Sequence, residues 1–195
     1  MSFVTYAHEE ADGAERLIAL ASSVSVVIPR AESAVLKHAH DEARHSLCFL
    51  DLLECVFPDH IHDREQRRLL EQRQKSIFSG RADPLLSKAD IMSEAIRINI
   101  GEVKNRVHLS LMQRWVMMYV PSQHSDQAKR LTDTLIRDEI NHIIYTALVM
   151  KEAGGVDNPH LANEIYQLEF AAFNAQILTE LSTARHNNAH VAVRY

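Results

Sequence analysis

The sequence predicts an all-α protein: a four-helix bundle with a long crossover between its second and third helices and an additional C-terminal helix. Three observations carry this. Five Gly and five Pro in 195 residues leave little punctuation for a sheet-rich fold. Long stretches place apolar residues three and four apart, the period of a helix with one buried face. Two of those stretches hold similar runs, Asp41-Glu42-Ala43-Arg44-His45 and Asp138-Glu139-Ile140-Asn141-His142. A Glu and a His three apart share one helical face, so each run aims two metal-ligating side chains at one point. The length suits one well-buried domain spanning residues 1–195, with a core of about 4–153, an extra helix of about 161–183 and a polar tail from Ala184.

The first helix runs from about Val4 to Val26, with Phe3, Tyr6, Ala7, Glu10, Ala14, Leu17, Ile18 and Ala21 on one stripe. One carboxylate, Glu10, therefore stands inside an apolar face. Ile28-Pro29-Arg30 breaks the pattern, and a second helix runs from Ala31 to about Phe57, before Pro58. It carries the first motif, and His38 lies one turn before Glu42 on the same face. Residues 58–87 are polar, with a charged, weakly amphipathic piece from Asp63 to Phe78. A connection of some thirty residues suits a crossover with its own short helix, not a tight hairpin.

The third long helix runs from about Lys88 to Val120, with Ile91, Glu94, Ile98, Glu102, Asn105 and Leu109 on its stripe. The fourth runs from Asp126 to Glu152, with Leu131, Leu135, Ile136, Ile143 and Thr146 inward, and Gly154-Gly155 stops it. Phe170, Phe173, Ile177 and Leu181 are spaced along the fifth to cap the bundle.

Bulk properties narrow the function classes. A formal charge of −5 argues against a nucleic-acid or anionic-membrane partner. The sequence has no apolar run of membrane-spanning length and no signal-peptide pattern, so a cytoplasmic location is expected. Cys48 and Cys55 lie about 10 Å apart along one helix, too far for a disulfide, and read as buried thiols in a reducing compartment.

Two Glu-x-x-His motifs on separate helices, plus one Glu from each of two others, form the ligand inventory for two metal ions in a bundle. Here the inventory is Glu10, Glu42 with His45, Glu102, and Glu139 with His142. Four carboxylates match the charge of two divalent cations, which matters because an unpaired buried charge costs several kcal/mol. Oxygen and imidazole ligation suits iron or manganese better than structural zinc. Glu15 and Glu94 are reserve candidates on the first and third helices, and His38 is a candidate extra ligand. Asp41 and Asp138 are expected as orienting partners, Asp41 for His142 and Asp138 for His45, because metal-bound histidine donates its other N–H to such a group. Tyr6 and Tyr145 are within reach of the site, although helix aromatics are more often core. The histidines at 8, 40, 60, 62, 108, 124, 160, 186 and 190 read as surface or loop residues, and Trp115 with Met112, Met117 and Met118 as packing. Leu17, Ile98, Leu135 and Thr146 are expected around a substrate pocket.

Over residues 6–150 the chain resembles the ferritin-like di-iron carboxylate superfamily. Asp-Glu-Ala-Arg-His-Ser-Leu from Asp41 and Arg-Asp-Glu-Ile-Asn-His from Arg137 resemble its p-aminobenzoate N-oxygenase branch. The resemblance implies two iron ions, Fe/Fe or Mn/Fe, that use O2 to oxidise a small organic substrate such as an amine, with electrons from an unidentified donor and a homodimer as candidate assembly. It also implies a third histidine ligand four residues before the Glu of the second motif. Leu135 holds that position here, while His38 occupies the equivalent place in the first motif. Rubrerythrins and ferritins share much of this ligand set, so ferroxidase or peroxide-scavenging chemistry is the alternative. An interaction module built on the apolar last helix is the non-enzymatic one.

Overall fold

The computed structural model describes residues 2–58, 64–78, 85–155 and 157–192, by backbone alone beyond residue 179. Among them there is no strand. Six helices are present: α1 (Phe3–Val27), α2 (Glu32–Val56), α3 (Arg64–Ile77), α4 (Lys88–Tyr119), α5 (Ser125–Met150) and α6 (Pro159–Ala192). Several boundaries have a local cause. The Ser2 hydroxyl accepts a hydrogen bond from the Thr5 amide and starts α1. A short 3-10 turn at Pro29–Ala31 reverses the chain into α2, and Pro121 with the turn Ser122–His124 does the same between α4 and α5. Ser87 and Asp90 form a reciprocal capping box at the head of α4. Past α5, Gly154 takes φ 107°, a left-handed conformation only glycine adopts cheaply.

The long helices pack as two antiparallel hairpins, α1 with α2 and α4 with α5, joined mainly through α2 and α5. Facing pairs fix the register. Tyr6 stacks on Phe49, Asn99 donates to Thr146 Oγ1 at 2.8 Å, and Gln113 to Thr132 Oγ1 at 2.9 Å. One apolar cluster gathers around Phe49, Leu52, Leu109, Val116 and Leu135. A second surrounds Val24, Val35, Ile91, Ile96 and Val149. The polar side chains of the site lie between these two layers.

The crossover carries one helix, α3, strapped to the first hairpin. Its Arg73 donates to Glu15 Oε1 at 2.7 Å and also pairs with Asp12, while Arg67 bridges Asp51 and Glu54. α6 lies along α4, where Arg97 grips Glu169 at 2.9 Å and the Lys104 ammonium sits 5.5 Å from the Phe173 ring centroid.

Two expectations change here. α6 runs on to Ala192, past the predicted end at Thr183. Its packing row is Ala162, Ile165 and Phe173; Phe170 faces outward beside Tyr166, because the helix meets one neighbour and buries only a narrow stripe. His60, His62, the side chains of Leu181, His186 and His190, and the expected loop at 79–84 lie outside what is described.

Candidate metal centre

Seven polar side chains from four helices converge midway along the bundle, and all are buried: Glu10 from α1, His38, Glu42 and His45 from α2, Glu102 from α4, and Glu139 and His142 from α5. The helical period explains the local order. His38, Glu42 and His45 follow one another on one face of α2, and Glu139 and His142 on one face of α5. Antiparallel pairing then sets α2 against α5 at matched levels.

Distances divide the cluster into two overlapping sets. His45 Nδ1 lies 3.6 Å from Glu42 Oε1, 3.8 Å from Glu10 Oε2 and 4.0 Å from Glu139 Oε1. His142 Nδ1 lies 3.5 Å from Glu42 Oε1, 3.9 Å from Glu102 Oε2 and 4.0 Å from Glu139 Oε2. His38 Nε2 joins the second set, 3.0 Å from Glu42 Oε1 and 3.2 Å from Glu102 Oε1. Glu42 and Glu139 thus stand between the sets, while Glu10 and Glu102 close the two ends. Two donors each about 2.1 Å from one cation are themselves roughly 3–4 Å apart, the spacing seen here.

The unmet hydrogen-bonding capacity points the same way. Glu10 Oε2, Glu102 Oε2, both oxygens of Glu139, and the Nδ1 atoms of His45 and His142 are buried without a hydrogen-bond partner. Such groups are costly to leave unpaired, and these all face one interior volume. The donor set therefore fits two oxygen- and nitrogen-preferring divalent ions; the groups Glu10–Glu42–His45 and His38–Glu42–Glu102–His142 each meet the geometric requirement for holding one.

Behind the imidazoles the pairing is crossed. His45 Nε2–H donates to Asp138 Oδ2 and His142 Nε2–H to Asp41 Oδ2, each at 3.3 Å. That leaves Nδ1 of both rings aimed inward. Arg44, half-exposed, clamps both carboxylates, donating to Asp41 Oδ1 at 2.9 Å and to Asp138 Oδ2 at 2.7 Å. Burial opposes ionisation of both acids, but His45 and Arg44 hold Asp138 down at about 2. His142, Lys37 and Arg44 hold Asp41 well below the usual carboxylate range.

The protonation pattern that these side chains set among themselves is a charge compromise. Burial, reinforced by the Glu42 charge, pushes Glu10 well above its ordinary value. Burial and Glu102 do the same to Glu139. Glu42 is held well below its ordinary value against the cost of burial, by Glu10, His38 and His45 around it. Glu102 is likewise lowered against burial by Glu139 and His38. Burial disfavours charge on the histidines too, yet Glu102 and Glu42 raise His38 to about 9. Asp138, Glu10 and Glu42 raise His45, whereas burial leaves His142 lowered. Two imidazoliums thus face two carboxylates, and two carboxyls stay neutral.

The expected residues are not all in place. Glu15 is exposed and paired with Arg73 on the far side of α1. Glu94 sits at a cleft rim, bound to Arg97 at 2.8 Å. Neither reserve candidate reaches the cluster: helix register sets Glu10 level with His45 and Glu102 level with His38 and His142. Leu135 is core, Thr146 is occupied by Asn99 and its own helix, and neither borders the α1–α4 cleft. Leu17 and Ile98 do. They belong to an 890 Å³ cleft between α1 and α4, partly walled by α6 through Phe173, which reaches Glu10, His38, Glu42 and Glu102 at its inner end.

One contact sharpens an expectation, and one was not anticipated. The Tyr145 hydroxyl stands 2.6 Å from His38 Nδ1 and orients that ring; its position three residues after His142 was the available signal. His108, expected at the surface, instead borders a small cavity with Tyr6, Glu10 and Asn105. Among the described residues, no helix is long and apolar enough to cross a membrane. Comparison of the chain with family models, with curated proteins and with solved structures finds no match in any of the three.

Proposed function

We propose that this chain is a ferritin-like di-metal oxidoreductase of the kind resembled by the p-aminobenzoate N-oxygenase branch, oxidising a small organic substrate with O2. The observation that carries the reading is the set of buried, unpartnered Nδ1 and carboxylate oxygens gathered in one cluster, of which Glu10 and Glu102 also border a cleft with apolar and charged walls. Glu10 and His45 would hold one ion, Glu102, His142 and His38 the other, and Glu42 and Glu139 would stand between them. When bound, two irons, or manganese with iron, supply the electrons that reduce O2, and a separate donor restores them.

The protein's own part is positional. Asp41 and Asp138 fix which nitrogen of each imidazole faces inward. Tyr145 does the same for His38. The apolar clusters on either side of the centre exclude water, so charges within it interact more strongly than they would in solvent. Leu17, Leu20, Ile98 and Phe173 give an organic molecule apolar surface to rest against beside the ligands. That wall favours the oxygenase reading over the ferroxidase or peroxide-scavenging one, which requires no such surface.

The free thiols of Cys48 and Cys55, both buried, support a reducing, cytoplasmic setting. For assembly we propose a homodimer, supported by the exposed Val103, Val107 and Leu111 on α4 and Ile140, Ile144 and Leu148 on α5. Sedimentation showing only a 22.2 kDa species at every concentration would end that part.

Metal analysis after iron-replete expression tests the core claim: about two iron or manganese ions per chain are expected, and their reproducible absence sinks it. Glu139→Ala should bring loading below one ion per chain, since it removes the carboxylate between both sets. Oxygen uptake that depends on an added amine or similar organic compound supports oxygenation. Iron deposition far beyond two per chain would replace it with the ferroxidase reading.

A further inference from the structure

The cleft contains two glycines that the backbone does not require. Gly154 needs its positive φ, but Gly13 and Gly101 sit inside α1 and α4 with ordinary helical conformations. Glycine weakens a helix interior, through backbone entropy and the lack of a side chain to pack. Both line the same cleft. Gly13 lies one helical turn past Glu10, and a Cβ there would come within 3.3 Å of Glu42 Oε2. Gly101 precedes Glu102, and a Cβ there would meet nothing within 4 Å.

These two environments exclude a packing explanation for Gly101 and give a different one for Gly13. At Gly101 there is space for a side chain that the sequence leaves empty. At Gly13 any side chain would press on Glu42 from the cleft side. Two buried carboxylate oxygens without hydrogen-bond partners, Glu10 Oε2 and Glu102 Oε2, belong to residues bordering the same opening. The walls beyond include the apolar Leu17, Leu20, Ile98 and Phe173, with Arg16, Glu94, Arg97, Lys104 and Glu169 also lining the cleft.

We infer that Gly13 and Gly101 form a size-selecting aperture in the α1–α4 cleft, admitting a slender organic molecule with an apolar or aromatic body end-on to the face of Glu42. The inference rests on the di-metal reading for what happens at the inner end. The aperture itself is a property of the two helices. Gly101 leaves open the space that a side chain would fill, so a side chain at 101 selects against wide molecules while leaving narrow ones unaffected.

The test uses two probes that differ in width. In the iron-loaded, oxidised protein, azide and 4-nitrocatechol are titrated and read by their absorption bands, after iron per chain has been measured. Gly101→Leu should retain iron, keep azide affinity within twofold and weaken 4-nitrocatechol at least tenfold. Unchanged 4-nitrocatechol binding in that variant, or equal loss of both probes with iron retained, overturns the aperture. A second variant is read without metal. The Gly101→Cys thiol should react with monobromobimane at least tenfold faster than wild-type protein, whose Cys48 and Cys55 are buried. Labelling no faster than wild type overturns the inference. A chain that never binds iron refutes the di-metal reading, and the bimane rates still decide the aperture.

Discussion

Histidine 38 concentrates the chemistry of the metal-free centre. Its ring stacks on His142 with centroids 3.6 Å apart, is oriented by Tyr145, and as an imidazolium offers Nε2–H to Glu42 and Glu102. With a folded value of about 9 against an ordinary 6.5, this group contributes stability that is complete below about pH 6.5 and disappears as pH rises through 9. His45 is also raised and acts in the same direction. Glu10 and Glu139, raised above 4.5, likewise lose their contribution as pH climbs. Asp41, Asp138 and Glu42 are lowered, and theirs is lost only in acid. The metal-free protein should therefore become less stable to urea between pH 6.5 and 9, with a maximum on the acid side of neutrality. Loaded protein should show the opposite slope over that window, because cations compete with these same protons. Parallel slopes for the two forms would contradict the protonation pattern.

Asp138→Asn tests the crossed pairing at the same scale. It removes the charge behind His45 while keeping the side chain's shape, and metal affinity measured against a competing chelator should fall about 10- to 100-fold. A change under twofold would mean that Asp138 serves only its ion pair with Arg44.

Among the elements, α4 shows how a local signal is tied to the site. The Ser87–Asp90 capping box starts the helix that carries Gly101 and Glu102. Ser87→Ala should cost about 1 kcal/mol, roughly 2–4 °C in Tm for a chain this long. Metal content should not change, because the cap lies several turns from Glu102. Loss of loading would show that α4 is held by its end and not by packing against α5. The helices also explain which sequence readings were secure. Stripes on α1 and α5 identified Glu10 and the second motif, since every partner of those faces is interior. On α6 the same kind of periodicity placed Phe173 correctly but added Phe170, which faces outward, because apolar residues on both sides of that helix satisfy the spacing. Periodicity identifies a candidate face but not the neighbour that will cover it.

For the whole molecule, metal ions bound to the fold and not to the unfolded chain should stabilise it by mass action. At a thousandfold excess over Kd the gain is about 4 kcal/mol, or roughly 8–16 °C in Tm. Removing metal with a chelator and restoring it should move the calorimetric midpoint reversibly by that order. An unchanged midpoint would mean that the inward-facing donors do not hold ions.

The sequence by itself determined the helical class, the two Glu-x-x-His faces, and the need for one further glutamate from each of the first and third long helices, with Glu10 or Glu15 and Glu102 or Glu94 to supply it. These follow from residue type and from a period intrinsic to the α-helix. Only the tertiary structure chose Glu10 over Glu15 and Glu102 over Glu94, brought Tyr145 to His38, joined Asp41 and Asp138 through Arg44, and opened a cleft between α1 and α4 at two glycines. Each of those depends on the register and separation of helices distant in the chain. A one-dimensional period constrains the direction of a side chain about its own axis, but not its level against a neighbour, nor whether the space in front of it is filled.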